Sequence, residues 1–210
     1  MYVKICGLRS RDSVRTALDA GADAIGFVVS PGSPRDLAPE AAAELVAFAG
    51  GEASTVLVVS HTPVVEAVAL AERIGVDILQ LHGRYGQPDV EVALAAERRV
   101  WRAASVADGT PLEVGAWGEE VLLLDSPVAG SGHRWDASAV EAAGRWMLAG
   151  GLNPDNVAEA IAISRPWGVD VSSGVESSRG VKDDALIRAF VEAVRGADDG
   201  NRTRAISLGS

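Results

Sequence analysis

At 210 residues, 48% of them hydrophobic, with 23 glycines and only 5% aromatics, the chain has room for one large domain or two small ones and the composition of small-residue helices packed on aliphatic strands. Its formal charge of −10 and pI ≈ 4.8 argue against a nucleic-acid or anionic-membrane partner, both of which need a basic surface. The single cysteine, Cys6, excludes an internal disulfide and a multi-thiolate metal site.

Short β-rich apolar runs recur about every 25 residues: YVKIC at 2–6, AIGFVV at 24–29, STVLVVS at 54–60, DILQLH at 77–82, RVWRAAS at 99–105, EVLLLDS at 120–126, WMLAGGL at 146–152 and GVDVSSG at 168–174. Helical patterns separate them at Asp12–Ala20, Pro39–Ala49, Pro63–Ile74, Pro88–Arg98, Ala137–Ala143, Pro154–Ser164 and Asp183–Arg195, several opened by a proline. The fifth interval, Asp108–Gly118, is weakly patterned. Strict alternation predicts parallel strands joined by crossovers, and strands apolar on both faces predict a sheet filled inside and covered outside. A single-domain (β/α)8 TIM barrel over residues 1–196 is the expected fold. The rival, an open doubly wound sheet, lacks its GxGxxG turn, because Cys6 is followed by Gly7-Leu8-Arg9. Residues 197–210 are polar and aperiodic and are expected to be a disordered tail. No apolar run reaches the ~20 residues of a membrane-spanning helix, and MYVKICG lacks the layout of a signal peptide. A cytoplasmic setting, congenial to a free thiol, is the expectation.

In such a barrel the site lies at the carboxyl ends of the strands, which selects the candidates. Cys6 closes the first strand. As a lone cysteine in an apolar strand it fits buried packing, and it also fits a general base if Lys4 or helix-dipole charge lowers its pKa from the free value of ~8.5. Asp125 follows Val121 to Leu124, so its carboxyl is expected to titrate high and to donate a proton, with a cap or a salt bridge as the bland reading. Gly150 and Gly151 in AGGLNPDNV, and Ser172, Ser173 and Gly174 in VSSGVES, follow the last two strands, where backbone N–H groups cradle phosphate in this architecture. Arg35, in the loop SPGSPRDL, is placed to hold a carboxylate with a planar fork. His82 and Asp170 complete the strand-end candidates, and Lys4, early in the first strand, is a further substrate-binding candidate. His82 has no second His or Cys nearby in sequence, so no metal is assigned.

Together KICGL (4–8), DAGADAIGFV (19–28), SPR (33–35), QLHG (80–83), LLLD (122–125), GSG (130–132), GGLNPDNV (150–157) and DVSSGVE (170–176) resemble the phosphoribosylanthranilate isomerases of tryptophan biosynthesis, in order from Val3 to about Val194. The resemblance implies a TIM barrel that performs an Amadori rearrangement on a small phosphoribosyl substrate, without cofactor or metal, as monomer or homodimer. By that resemblance Asp125 is the acid that opens the furanose and Cys6 the base that removes the C2′ proton. It also implies that Arg35 meets the anthranilate, and that Gly151, Ser173, Gly174, Gly130 and Gly132 surround the phosphate. The sequence departs from the family pattern at VSHTP after strand three, at AGSG, and at Asp36, expected to neutralise Arg35 in part. The alternatives are a bifunctional isomerase that also serves histidine biosynthesis, which normally carries Asp where this chain has Cys6; an aldolase-type barrel using Lys4; and a silent phosphosugar-binding barrel.

Overall fold

The computed structural model describes residues 1–105, 109–125 and 144–207. Eight parallel strands close into a barrel in chain order: β1 (Tyr2–Cys6), β2 (Ala24–Val28), β3 (Ser54–Val59), β4 (Ile78–His82), β5 (Arg99–Ser105), β6 (Val121–Asp125), β7 (Trp146–Ala149) and β8 (Gly168–Val171). Closure is made by β8 on β1, with Lys4 in register with Asp170. The helices are α1 (Arg11–Asp19), α2 (Pro39–Ala49), α3 (Val64–Ile74), α4 (Gln87–Ala95), α5 (Val157–Ser164) and α6 (Asp184–Ser207). None of the described helices is long and apolar enough to cross a membrane.

Period-2 alternation sorts each strand into two cores. Cys6, Ala24, Val28, Val56, Val58, Ile78, Trp101, Val121, Leu123 and Met147 fill the inside, while Val3, Ile5, Ile25, Phe27, Leu122, Leu124 and Val169 join the layer under the helices. Tyr2 stacks on Trp167 with centroids 4.4 Å apart and meets Trp101 edge-on at 6.1 Å, an aromatic plug at the amino end of the barrel.

The element boundaries have local causes. Ser10 caps α1 in a reciprocal box with Ser13, and α2 begins with Pro39. The α5 helix starts at Val157 and not at the expected Pro154, because Asn153 Oδ1 accepts from the Asp155 and Asn156 N–H groups and Asn156 Oδ1 accepts from the Asn153 N–H. These bonds hold a turn there in place of the first helical turn. β7 stops at Ala149, short of the expected Leu152, because Gly150 and Gly151 turn left-handed at φ 82° and 63°. The last helix runs to Ser207, past the expected end at Arg195 and into the stretch expected to be a disordered tail.

Two features lie where the sequence pattern was weak or silent. The weakly patterned interval contains no helix over its described part, 109–118; instead Arg102, on the outer face of β5, donates to Glu119 from Nε (2.9 Å) and Nη2 (2.6 Å) and lies 4.5 Å from the Trp117 ring. After β8 a 3₁₀ turn (Ser173–Val175) leads into an antiparallel hairpin of β9 (Glu176–Ser178) and β10 (Val181–Lys182). The expected helix over 137–143 lies outside the described residues.

Candidate active site

At the carboxyl end of the strands lies a cavity of ≈ 540 Å³. Nine of the residues singled out from sequence line it: Cys6 from β1, Arg35 from the β2–α2 loop, His82 from β4, Asp125 from β6, Gly150 and Gly151 after β7, and Asp170, Ser172 and Ser173 from β8 and the turn beyond. Lys4 and Gly174 do not line it, and Gly130 and Gly132 lie outside the described residues.

Lys4 sits inside the barrel, fully buried, with Nζ donating to Asp170 Oδ1 at 2.8 Å. Burial opposes its charge, but Asp170 and the neighbouring Cys6 outweigh that and hold its pKa above the usual lysine value. The same burial decides the state of Cys6. Desolvation drives the thiol pKa up, and the lysines Lys4 and Lys182 pull it down less than burial and Asp170 raise it. The condition set from sequence for a ready thiolate, a pKa lowered by Lys4 or a helix dipole, is not met in the resting protein: burial holds the proton more tightly than in a free thiol. Space beside it is kept by Gly26, where an added Cβ would stand 3.1 Å from Cys6 Sγ and 3.3 Å from Lys4 Cε.

Asp125 ends the apolar run of β6, partly exposed, in register with Ser105 on one side and Ala149 on the other. His82 is exposed at the rim. Gly174 lies against the loop after β7: a Cβ there would collide with the Leu152 carbonyl oxygen, so the loops after β7 and β8 touch backbone to backbone. Asn156 Nδ2 ties the same region down by donating to the Gly151 carbonyl at 2.9 Å.

Arg35 is not neutralised by Asp36. The Asp36 carboxylate accepts from the Ser30 N–H at 2.7 Å, as a carboxylate near its own chain commonly does. The partner of Arg35 is Glu176, which takes its Nε at 2.6 Å and Nη2 at 2.9 Å.

Sequence reasoning missed three polar residues here. Glu176 and Lys182 sit on the unanticipated hairpin and make a buried pair at 2.9 Å; Glu176 closes the motif DVSSGVE, and Lys182 had only its charge as a signal. Gln80, inside β4, lines the cavity at 2% exposure with Oε1 unbonded, and its signal was a polar residue at an inward position of an apolar strand. Among the described residues no group of three or more His, Cys, Asp or Glu side chains is arranged to hold a metal ion.

A model of the N-(5′-phosphoribosyl)anthranilate isomerase family matches residues 3–193. A protein of that name from Rhodospirillum rubrum is 44% identical over 213 residues, covering 92% of this chain and 97% of the relative. TrpF from Jonesia denitrificans is 55% identical, superposes with a TM-score of 0.90 and is matched over 94% of this chain and 98% of its own. A phosphoribosyl anthranilate isomerase solved in complex with reduced 1-(o-carboxyphenylamino)-1-deoxyribulose 5-phosphate is 29% identical with a TM-score of 0.78, over 93% of this chain and 99% of its own. Matched in sequence and in fold over nearly its whole length, the chain belongs to the N-(5′-phosphoribosyl)anthranilate isomerase family.

Proposed function

We propose that the protein converts N-(5-phosphoribosyl)anthranilate to 1-(2-carboxyphenylamino)-1-deoxyribulose 5-phosphate in the cytoplasmic synthesis of tryptophan, with Asp125 as general acid and Cys6 as general base. The observation that carries this reading is that the two groups enter one cavity from strands β6 and β1, so an acid and a base reach a bound sugar from separate points of the barrel mouth. Asp125 delivers a proton to the furanose oxygen, the C1′–O bond breaks, and the anthranilate nitrogen becomes an iminium. That cation acidifies C2′, whose proton passes to Cys6. The electron pair closes the C1′–C2′ double bond, and the resulting enol becomes the ketone.

The cavity supplies anion recognition at two places. Gly150, Gly151, Ser172 and Ser173 present loop backbone for the phosphate, and Arg35 offers its guanidinium to the anthranilate carboxylate. Lys4, held by Asp170, keeps a positive charge next to Cys6, which favours the thiolate when the proton is in play. The same ammonium speaks against an aldolase-type role, since a Schiff-base lysine needs a depressed pKa and Lys4 has the opposite.

The test follows the fluorescence decay of freshly formed phosphoribosylanthranilate with purified protein, beside the aminoimidazole carboxamide substrate of the bifunctional enzymes. Consumption of the first alone is expected; consumption of both would make the protein bifunctional, and consumption of neither would leave a silent binding barrel. Cys6→Ala and Asp125→Asn should each lower kcat by roughly 10²–10⁴-fold, the range for removing a general acid or base, with the far-UV circular dichroism spectrum intact. Turnover near that of the unaltered protein in either variant would remove that residue from the mechanism.

A further inference from the structure

We infer that Glu176 is a positioning residue for anthranilate recognition: the β9–β10 hairpin anchors the Arg35 guanidinium by one edge so that its other edge meets the substrate carboxylate. The inference rests on the proposed substrate. Arg35 comes from a loop after β2, a long side chain that on its own would sample many rotamers. Glu176 closes on it through a two-point contact at Nε and Nη2 (2.6 and 2.9 Å), which fixes the plane of the fork as well as its position. The Nη1 side has no hydrogen-bond partner among the described residues, and Arg35 lines the cavity at 21% side-chain exposure while Glu176 is shielded at 4%. One carboxylate is thus built into the fold on the inner edge, and the outer edge is left for a second.

Charge explains why the built-in carboxylate does not cancel the site. Lys182 Nζ reaches Glu176 Oε1 at 2.9 Å from the other side of the hairpin, so Glu176 is shared between two cations, of which Arg35 is the one that lines the cavity. Lys182 also donates to the Ser172 carbonyl at 2.8 Å, and the Ser172 hydroxyl donates to the Cys6 carbonyl at 3.2 Å, so the anchor is braced on the cradle loop and on the end of β1. Two glycines make the approach possible. A Cβ on Gly7 would stand 2.5 Å from Arg35 Cδ, and one on Gly180 would collide with the Pro34 carbonyl next to Arg35; the Gly180 N–H itself donates to Glu176 at 3.0 Å.

The experiment is a double-mutant cycle on purified enzyme with Glu176→Asp, Arg35→Ala and the double variant, reading KM and kcat for phosphoribosylanthranilate and the Kd of the reduced product. The shortened Glu176→Asp side chain keeps the charge but loses the two-point reach. It should raise KM and Kd about 10-fold with kcat changed less than about 2-fold, the pattern of lost ground-state binding. In the Arg35→Ala background the same change should have less than about a 2-fold effect, because the residue acts through Arg35. An unchanged KM, a fall confined to kcat, or an equal loss in both backgrounds would overturn the inference. If Glu176→Asp does not fold, Glu176→Gln goes through the same cycle under the same criteria. Turnover by the unaltered protein decides the substrate separately.

Discussion

Burial acts first on both Cys6 and Lys4: it raises the thiol pKa against the pull of Lys4, and it is outweighed at Lys4 by Asp170 and Cys6. Because burial raises the thiol pKa above the ordinary cysteine range, the thiolate is the minor form at neutral pH, and its fraction grows with each step toward alkali. If Cys6 is the base, kcat/KM, which reports groups of the free enzyme, should climb through neutral pH and still be climbing at pH 9. A profile that reaches its plateau below pH 8 would mean that some other group sets the rising limb. The places of Cys6 and Asp125 at the cavity were legible as polar residues closing apolar strands. The direction of the Cys6 shift was not, because it depends on how completely the barrel closes over the sulfur.

Among the elements, the hairpin after β8 depends most on charge. Glu176 loses solvation, yet the hydrogen bonds from Arg35, the Gly180 N–H and Lys182 bring its pKa down to about 2. A carboxylate depressed in the folded state contributes stability that is present above its unfolded pKa and lost as pH falls through the folded one. Glu176→Gln should therefore be less stable than the parent at pH 7, with the difference shrinking as pH drops from about 4 toward 2, as read from urea midpoints at a series of pH values. A difference that stayed constant with pH would assign the loss to shape and not to charge. On the outer face of β5, Arg102 and Glu119, with side chains at 3% and 0% exposure, fasten the 109–120 segment where other strands carry a helix. Arg102→Met should cost about 3–5 kcal/mol, since it strands a buried carboxylate; a urea-derived loss under about 1 kcal/mol would show that Glu119 finds another partner. Neither device was visible beforehand. A salt bridge between residues far apart in sequence leaves no periodic trace, and a two-residue strand is too short to make one.

Over the whole molecule, closure of the barrel is what turns eight similar units into one site. The last helix helps to hold that closure: Arg195 donates to the Met1 carbonyl at 2.6 Å, the Gly21 carbonyl at 2.8 Å and the Asp23 carboxylate at 3.0 Å, tying α6 to the start of β1 and the approach to β2. Arg195→Ala should lower stability by about 1 kcal/mol, which in a chain of this size is a fall of about 2–4 °C in Tm. Because these contacts are at the amino end of the strands, opposite the cavity, kcat should be unchanged. A loss of activity larger than the loss of stability would show that closure and catalysis are coupled.

The sequence by itself determined the repeating strand–helix order, the inward and outward faces of the strands and the polar residues at their carboxyl ends, because period, proline and glycine placement and burial preference are local properties of the chain. Only the tertiary structure decided that Arg35 answers to Glu176 and not to its neighbour Asp36, that Lys4 serves Asp170 under the cavity floor, and that Cys6 holds its proton. Each of these depends on which charges closure brings within hydrogen-bond reach and on how much water it expels between them, and neither quantity is written in sequence spacing.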